Sequence, residues 1–136
     1  MARRDLFANI ALGAAALAAF TSAGFMALDG IHALTTGDYI RPAEGRFGGQ
    51  LGPWARIVST IGIDPESIGM KLFFVVFGIA WLTALVFFLF GNKAGWIAML
   101  VFATCSLWYL VPGTLLSLCI IGLLLVPRVR RIYGSP

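Results

Sequence analysis

The sequence predicts an all-α integral membrane protein: a four-transmembrane-helix bundle with a large first extracytoplasmic loop that carries a short interfacial helix. Three observations lead there. Hydrophobic residues make up 60% of the chain and charged residues 12%, where soluble domains run at about 45–50% and about 25%. The mean hydropathy of +0.91 is too high for a chain of 136 residues to hide in a soluble core, so lipid must solvate part of it. The basic residues sit at the ends of apolar runs and do not gather on one face. The net charge of +4 therefore reads as topology signals, and no nucleic-acid partner is expected.

The whole chain, 1–136, reads as a single membrane domain. The first span is expected at about 6–28, roughly 34 Å of helix, enough for a ~30 Å hydrocarbon core. Its start resembles a signal peptide, with Arg3 and Arg4 before an Ala-rich run. The run continues to Leu28, so it reads as an uncleaved anchor. Nothing breaks the helix before Gly37.

The outer loop, about 29–67, is rich in turn formers such as Gly37-Asp38, Arg41-Pro42 and Gly48-Gly49. Within it Gly52-Pro53 reads as a helix start. Trp54, Ile57, Val58 and Ile61 share one face, with Arg56, Ser59 and Thr60 opposite. This predicts an interfacial helix over 54–61, Trp54 at headgroup level and Gly62 as the C-cap. Asp64-Pro65-Glu66 is expected to open the second span, 68–90. Gly91-Asn92-Lys93 forms a turn into the third span, 94–111, whose Trp96 and Trp108-Tyr109 suit aromatic belts. Pro112-Gly113 separates it from a short fourth span, 113–126, followed by a basic tail, 127–136.

With both termini in the cytoplasm, Arg3, Arg4, Lys93, Arg128, Arg130 and Arg131 lie inside against Asp5 alone. The outer side then holds four basic residues, Arg41, Arg46, Arg56 and Lys71, against five acids. The positive-inside rule selects this orientation, in a cell membrane of the bacterial inner-membrane type.

The search for chemistry finds little. The deep parts of the spans carry no ionisable residue, only hydroxyls such as Thr21, Ser22, Thr83, Ser106 and Ser117. His32 is the single histidine; it is a candidate axial ligand for a haem or pigment, set against an interfacial residue near Asp29 or Asp38. Cys105 and Cys119 lie in apolar runs and are expected as free thiols. No metal site, cofactor or catalytic residue is expected. Gly45-Arg46-Phe47-Gly48-Gly49 lacks the lysine and hydroxyl of a phosphate loop.

The clearest signal is a row of small residues in the first span. Ala11, Ala15, Ala19, Ala23 and Ala27 recur at four-residue intervals and form a helix-packing face. The layout of four spans and a large first loop is similar in topology to claudin-like tetraspan proteins. The loop has Trp54 but no cysteine pair, so that family's disulfide signature is missing.

The expected function is non-enzymatic: a small inner-membrane accessory or assembly subunit of a larger membrane complex. Its expected partners are the lipid bilayer and other membrane subunits or further copies of itself. The alternatives are a small oligomeric transporter or channel, and a pigment- or haem-binding subunit acting through His32.

Overall fold

The computed structural model describes residues 2–40, 53–109 and 111–134. Among them there is no strand. The helices are α1 (Ala2–Thr36), α2 (Pro53–Thr60), α3 (Ile68–Leu89), α4 (Lys93–Cys105), α5 (Val111–Leu125) and α6 (Pro127–Ile132). The side chains of Arg3 and Arg4, and the glycine-rich stretch 45–49, lie outside the described residues. Two helical stretches, Leu6–Thr36 and Ile68–Leu89, are long and apolar enough to cross a membrane.

Helix α1 runs unbroken for 35 residues because its sequence offers no proline and few β-branched positions. It stops at Gly37, whose φ of +89° suits only glycine, and whose N–H returns to the Ala33 carbonyl at 3.0 Å. Helix α2 ends the same way. Gly62 N–H bonds the Ser59 carbonyl at 3.1 Å and Ile63 N–H bonds Val58 at 2.9 Å, the paired contacts of a Schellman cap.

The start of α3 differs from the expected one. Its N-cap is Ser67, whose Oγ accepts from Met70 N–H at 3.3 Å. Asp64 instead closes the turn before the helix, accepting from Glu66 N–H at 3.0 Å. Asn92 caps α4 by accepting from Ala94 N–H at 2.8 Å.

The third apolar run also differs: α4 ends at Cys105, not near 111. Its 13 residues reach about 20 Å, short of a ~30 Å core. The helix stops where Ser106 turns inward. Its hydroxyl sits 2.8 Å from that of Ser117 on α5, and residues 106–109 form a turn. In the basic tail Pro127 opens a further short helix, α6.

Helices α1, α3, α4 and α5 close a ring in which each packs on two others. α1 and α3 run antiparallel, since Gly30 meets Phe74 and Val75 while Gly78 meets Ala23 and Ala27. A Cβ on Gly78 would lie 2.7 Å from the Ala27 backbone nitrogen, so the two backbones touch there. Ala11, Ala15, Ala19, Ala23 and Ala27 are all buried; the first four share a core with Trp81, Leu85, Met99, Ile120 and Leu124, and Ala27 lies against Gly78. The end of this ring at which α1 stops and α3 begins is its loop end. The opposite, terminal end carries the first turn of α1, the turn at 91–92 and α6.

At the terminal end two aromatic donors reach backbone carbonyls near helix ends. Trp96 Nε1 donates to Leu124 at 3.1 Å, and the Tyr133 hydroxyl donates to Phe88 at 2.9 Å. Trp96 is thus a buried tie between α4 and α5, in place of a belt residue in lipid. Tyr133 stacks on Phe88 at 5.1 Å between centroids. Burial pushes its phenol up to about 12.

Two predictions follow from this packing. Ala19→Leu overfills the α1 interface and is expected to lower stability by about 1–3 kcal/mol, whereas Ala14→Leu on the exposed side changes it by less than about 0.5 kcal/mol. Unfolding in mild detergent followed by helical circular dichroism measures both; equal tolerance contradicts the packing role. For Tyr133, the folded state favours the neutral phenol. Its contribution is complete below the unfolded value of about 10 and is lost as pH rises toward about 12. Melting temperatures across that range are expected to fall more steeply for the native protein than for Tyr133→Phe.

Candidate functional site

The densest polar cluster among the described residues lies at the loop end and is centred on Asp29. This residue occupies the second-last full turn of α1 and is only 3% exposed. A buried carboxylate must be hydrogen-bonded to be tolerated. Both of its oxygens are. Oδ1 accepts from the Ile40 N–H at 2.7 Å, and Oδ2 accepts from the Tyr109 hydroxyl at 2.8 Å. One side chain therefore ties α1 to the segment that follows it and to the turn after α4.

Tyr39 sits next to this carboxylate. Its hydroxyl donates to the Pro65 carbonyl at 2.7 Å, which holds the start of α3. Its ring meets Trp54 edge-on at 5.1 Å and Phe74 at 5.3 Å, and Trp54 meets Phe74 at 4.8 Å. Such edge-to-face pairs are worth about 0.5–1.5 kcal/mol each beyond area burial. Burial, and then the charges of Asp29, Glu66 and Asp64, raise the Tyr39 phenol above its usual value, so the hydroxyl stays a donor. Lys71, also buried, donates to the Gly37 carbonyl at 2.8 Å and lies 6.0 Å from the Tyr39 ring centroid. That carbonyl follows the end of α1, where the helix dipole favours a cation.

Trp54 was expected at headgroup level. It is instead 2% exposed and packed inside this aromatic cluster. Val58, one turn on, is buried with it, while Ile57 and Ile61 are exposed. The apolar face of α2 thus divides: one edge meets the bundle and the other is left open.

His32 stands on the exposed side of α1. Its Nδ1 donates to the Asp38 carbonyl at 2.8 Å, and the Thr36 hydroxyl bonds the His32 carbonyl at 2.7 Å. The ring serves as part of the α1 terminus. Tyr109, read from sequence as a belt residue, is buried and is a partner of Asp29. Cys105 and Cys119 are free and exposed. Lys93, Arg128 and Arg131 are exposed at the terminal end, where the Arg128 guanidinium lies 5.3 Å from the Phe7 ring centroid. Arg130 is partly buried there.

Sequence reading missed Asp29, Lys71 and Tyr109 as a group. Lys71 lies on the inward face of α3, which the all-round hydrophobicity of that helix conceals in the sequence. Lys71 continues the spacing of Phe74, Gly78, Trp81, Leu85 and Phe88, all buried on α3. For Asp29 and Tyr109, 80 residues apart, no local signal exists. Among the described residues no group of three or more His, Cys, Asp or Glu side chains is placed to hold a metal. With both its oxygens occupied, Asp29 joins α1 to the segment after it and to the turn after α4.

The fold and this cluster define an all-helical protein with two helices able to cross a membrane, braced at one end by a buried carboxylate. Comparisons with protein-family models, with curated proteins and with solved structures each find no match.

Tyr109→Phe removes the donor to Oδ2 and is expected to cost about 1–3 kcal/mol. Asp29→Ala orphans the same hydroxyl. The two effects are expected to be non-additive by about 0.5–3 kcal/mol in a double-mutant cycle; simple additivity shows that the two groups act independently.

Proposed function

We propose that this protein is a small, non-enzymatic accessory or assembly subunit of a membrane complex. In this reading α4 and α5 complete a four-span bundle, the loop end faces outward, and both termini lie in the cytoplasm of a bacterial cell. The excess of basic residues at the terminal end supports that orientation. The short α4 and α5 are accommodated by local thinning of the bilayer or by snorkelling arginines.

One observation carries the functional reading: the contrast between interior and surface at the loop end. Inside, Asp29, Tyr39, Lys71 and Tyr109 are bonded to their own chain. Outside, Ile40, Ile57, Ile61, Ile63 and Ile68 are all exposed. A self-bonded polar interior suits a scaffold. Exposed isoleucines beside it suit contact with the membrane interface or a neighbouring subunit.

The test uses native membranes. In mild detergent the protein is expected to elute within a larger assembly, and Ile57→Ser with Ile61→Ser is expected to release it. Reconstituted alone in liposomes, it is expected to pass neither ions nor solutes. Robust flux from the purified chain, or elution as a lone chain from native membranes, overturns the accessory reading.

A further inference from the structure

The short helix α6 is pinned on one side and open on the other. Val129 and Tyr133 turn inward: Val129 is fully buried, and Tyr133 bonds the Phe88 carbonyl and stacks on the Phe88 ring. Arg128, Arg131 and Ile132 are exposed. At about 100° of turn per residue these three fill a single arc of about 100°, with Arg131 nearly opposite Val129. The bundle thus holds two guanidinium groups one turn apart on the outer side of α6.

Among the described side chains no acid balances them. Asp29, Asp38, Asp64 and Glu66 all lie at the loop end. The Arg128 guanidinium lies 5.3 Å from the Phe7 ring centroid, a cation–π contact that orients the group without cancelling its charge. Like charges one helical turn apart repel, so an anion beside them is favoured. Exposed apolar side chains stand at the same end: Phe7, Phe90, Leu125 and Ile132. Arginines beside exposed apolar groups suit the boundary between acyl chains and phosphates.

By sequence this end carries six basic residues, Arg3, Arg4, Lys93, Arg128, Arg130 and Arg131, against Asp5 alone. Basic clusters next to a membrane helix attract acidic lipid. We infer that the outer face of α6 binds the headgroup of an acidic phospholipid, with Arg128 and Arg131 on its phosphate and Ile132 at the edge of its acyl chains. The inference rests on the reading that places the terminal end at the membrane surface. The acidic face of a neighbouring protein is the other source of negative charge. Ile132 in the same arc, and Phe90 at 85% exposure, favour lipid, which supplies phosphate and hydrocarbon together.

The experiment uses the full chain in mild detergent with an equal mixture of phosphatidylglycerol and phosphatidylcholine of identical acyl chains. Native mass spectrometry counts the lipids retained. Phosphatidylglycerol is expected to be preferred, and Arg128→Gln and Arg131→Gln are each expected to lower that preference about fivefold. Arg131→Lys, which keeps the charge, is expected to retain it. Arg56→Gln, at an exposed base of the loop end, is expected to leave it unchanged. Circular dichroism checks that each variant keeps its helices, and either glutamine variant suffices if the other unfolds. Equal retention of the two lipids by the native protein overturns the proposal. So does a preference that falls as far in Arg56→Gln as in the α6 variants, which is attraction to net charge alone. Loss of a partner protein from native membranes in the α6 variants, at an unchanged lipid ratio, gives the face to protein and overturns it too. A chain that does not partition into membranes overturns the membrane reading as well; a chain that partitions normally, with one lipid ratio for the native protein and the α6 variants, overturns the lipid site alone.

Discussion

The backbone contact between α1 and α3 is the constraint on which the rest of this fold depends. Gly78 lies against Ala23 and Ala27, and Gly30 lies against Phe74 and Val75. Both helices are long and apolar enough to cross a membrane, and between such helices close van der Waals contact selects the faces that meet. Small residues permit that contact along most of α1. Once α1 and α3 are fixed, the large side chains of α3 have only certain places to go. Trp81 and Phe88 enter the shared core with Met99, Ile120 and Leu124 from α4 and α5. The stack of Trp81 on Phe102 and the edge contact of Phe77 with Phe102 belong to the same arrangement.

Each end of the bundle is then tied by polar contacts of a kind its apolar middle cannot supply. At the loop end Asp29 collects two donors from distant parts of the chain, and Lys71 reaches the carbonyl just beyond α1. At the terminal end Trp96 and Tyr133 donate to carbonyls near the ends of α5 and α3. The Phe88 carbonyl already accepts from the Gly91 N–H at 2.9 Å, so the Tyr133 hydroxyl adds a second bond to it. The middle differs. Thr21, Thr83 and Thr104 bond back to their own helices, at Leu17, Ile79 and Leu100. Ser106 and Ser117 pair across the α4–α5 junction, where the Thr114 hydroxyl also donates to the Leu107 carbonyl. Trp81 Nε1 and Ser22 Oγ remain buried without a hydrogen-bond partner.

This division of labour shapes the functional reading. Polar groups at the loop end hold the chain to itself, while the isoleucines around them are left for contact. The open edge of α2 is adjacent on the helix to the edge that grips the bundle through Trp54 and Val58. A neighbour beside that edge, lipid or protein, meets a surface held in place by the aromatic cluster.

What the sequence determined by itself was local. The courses of α1, α2 and α3, the glycine stops at Gly37 and Gly62, the turn at Gly91 and the small-residue row of α1 follow from short-range sterics and spacing. The row was legible because small side chains mark close approach even where every neighbour is apolar. The inward face of α3 was not legible in the same way, since its apolar residues surround the helix and hydrophobicity carries no direction when lipid is the solvent. The sequence also placed Trp54 and Tyr109 by their amphipathic character, which suits an interface and a buried aromatic cluster equally. Only the tertiary structure decided between them. It brings Tyr109 to Asp29 across 80 residues and turns Trp54 onto Phe74. The early stop of α4 has the same origin, because the Ser106 contact with Ser117 exists only when α4 and α5 are side by side. A hydrogen bond between distant segments depends on how the chain returns, and local propensity contains no record of that return.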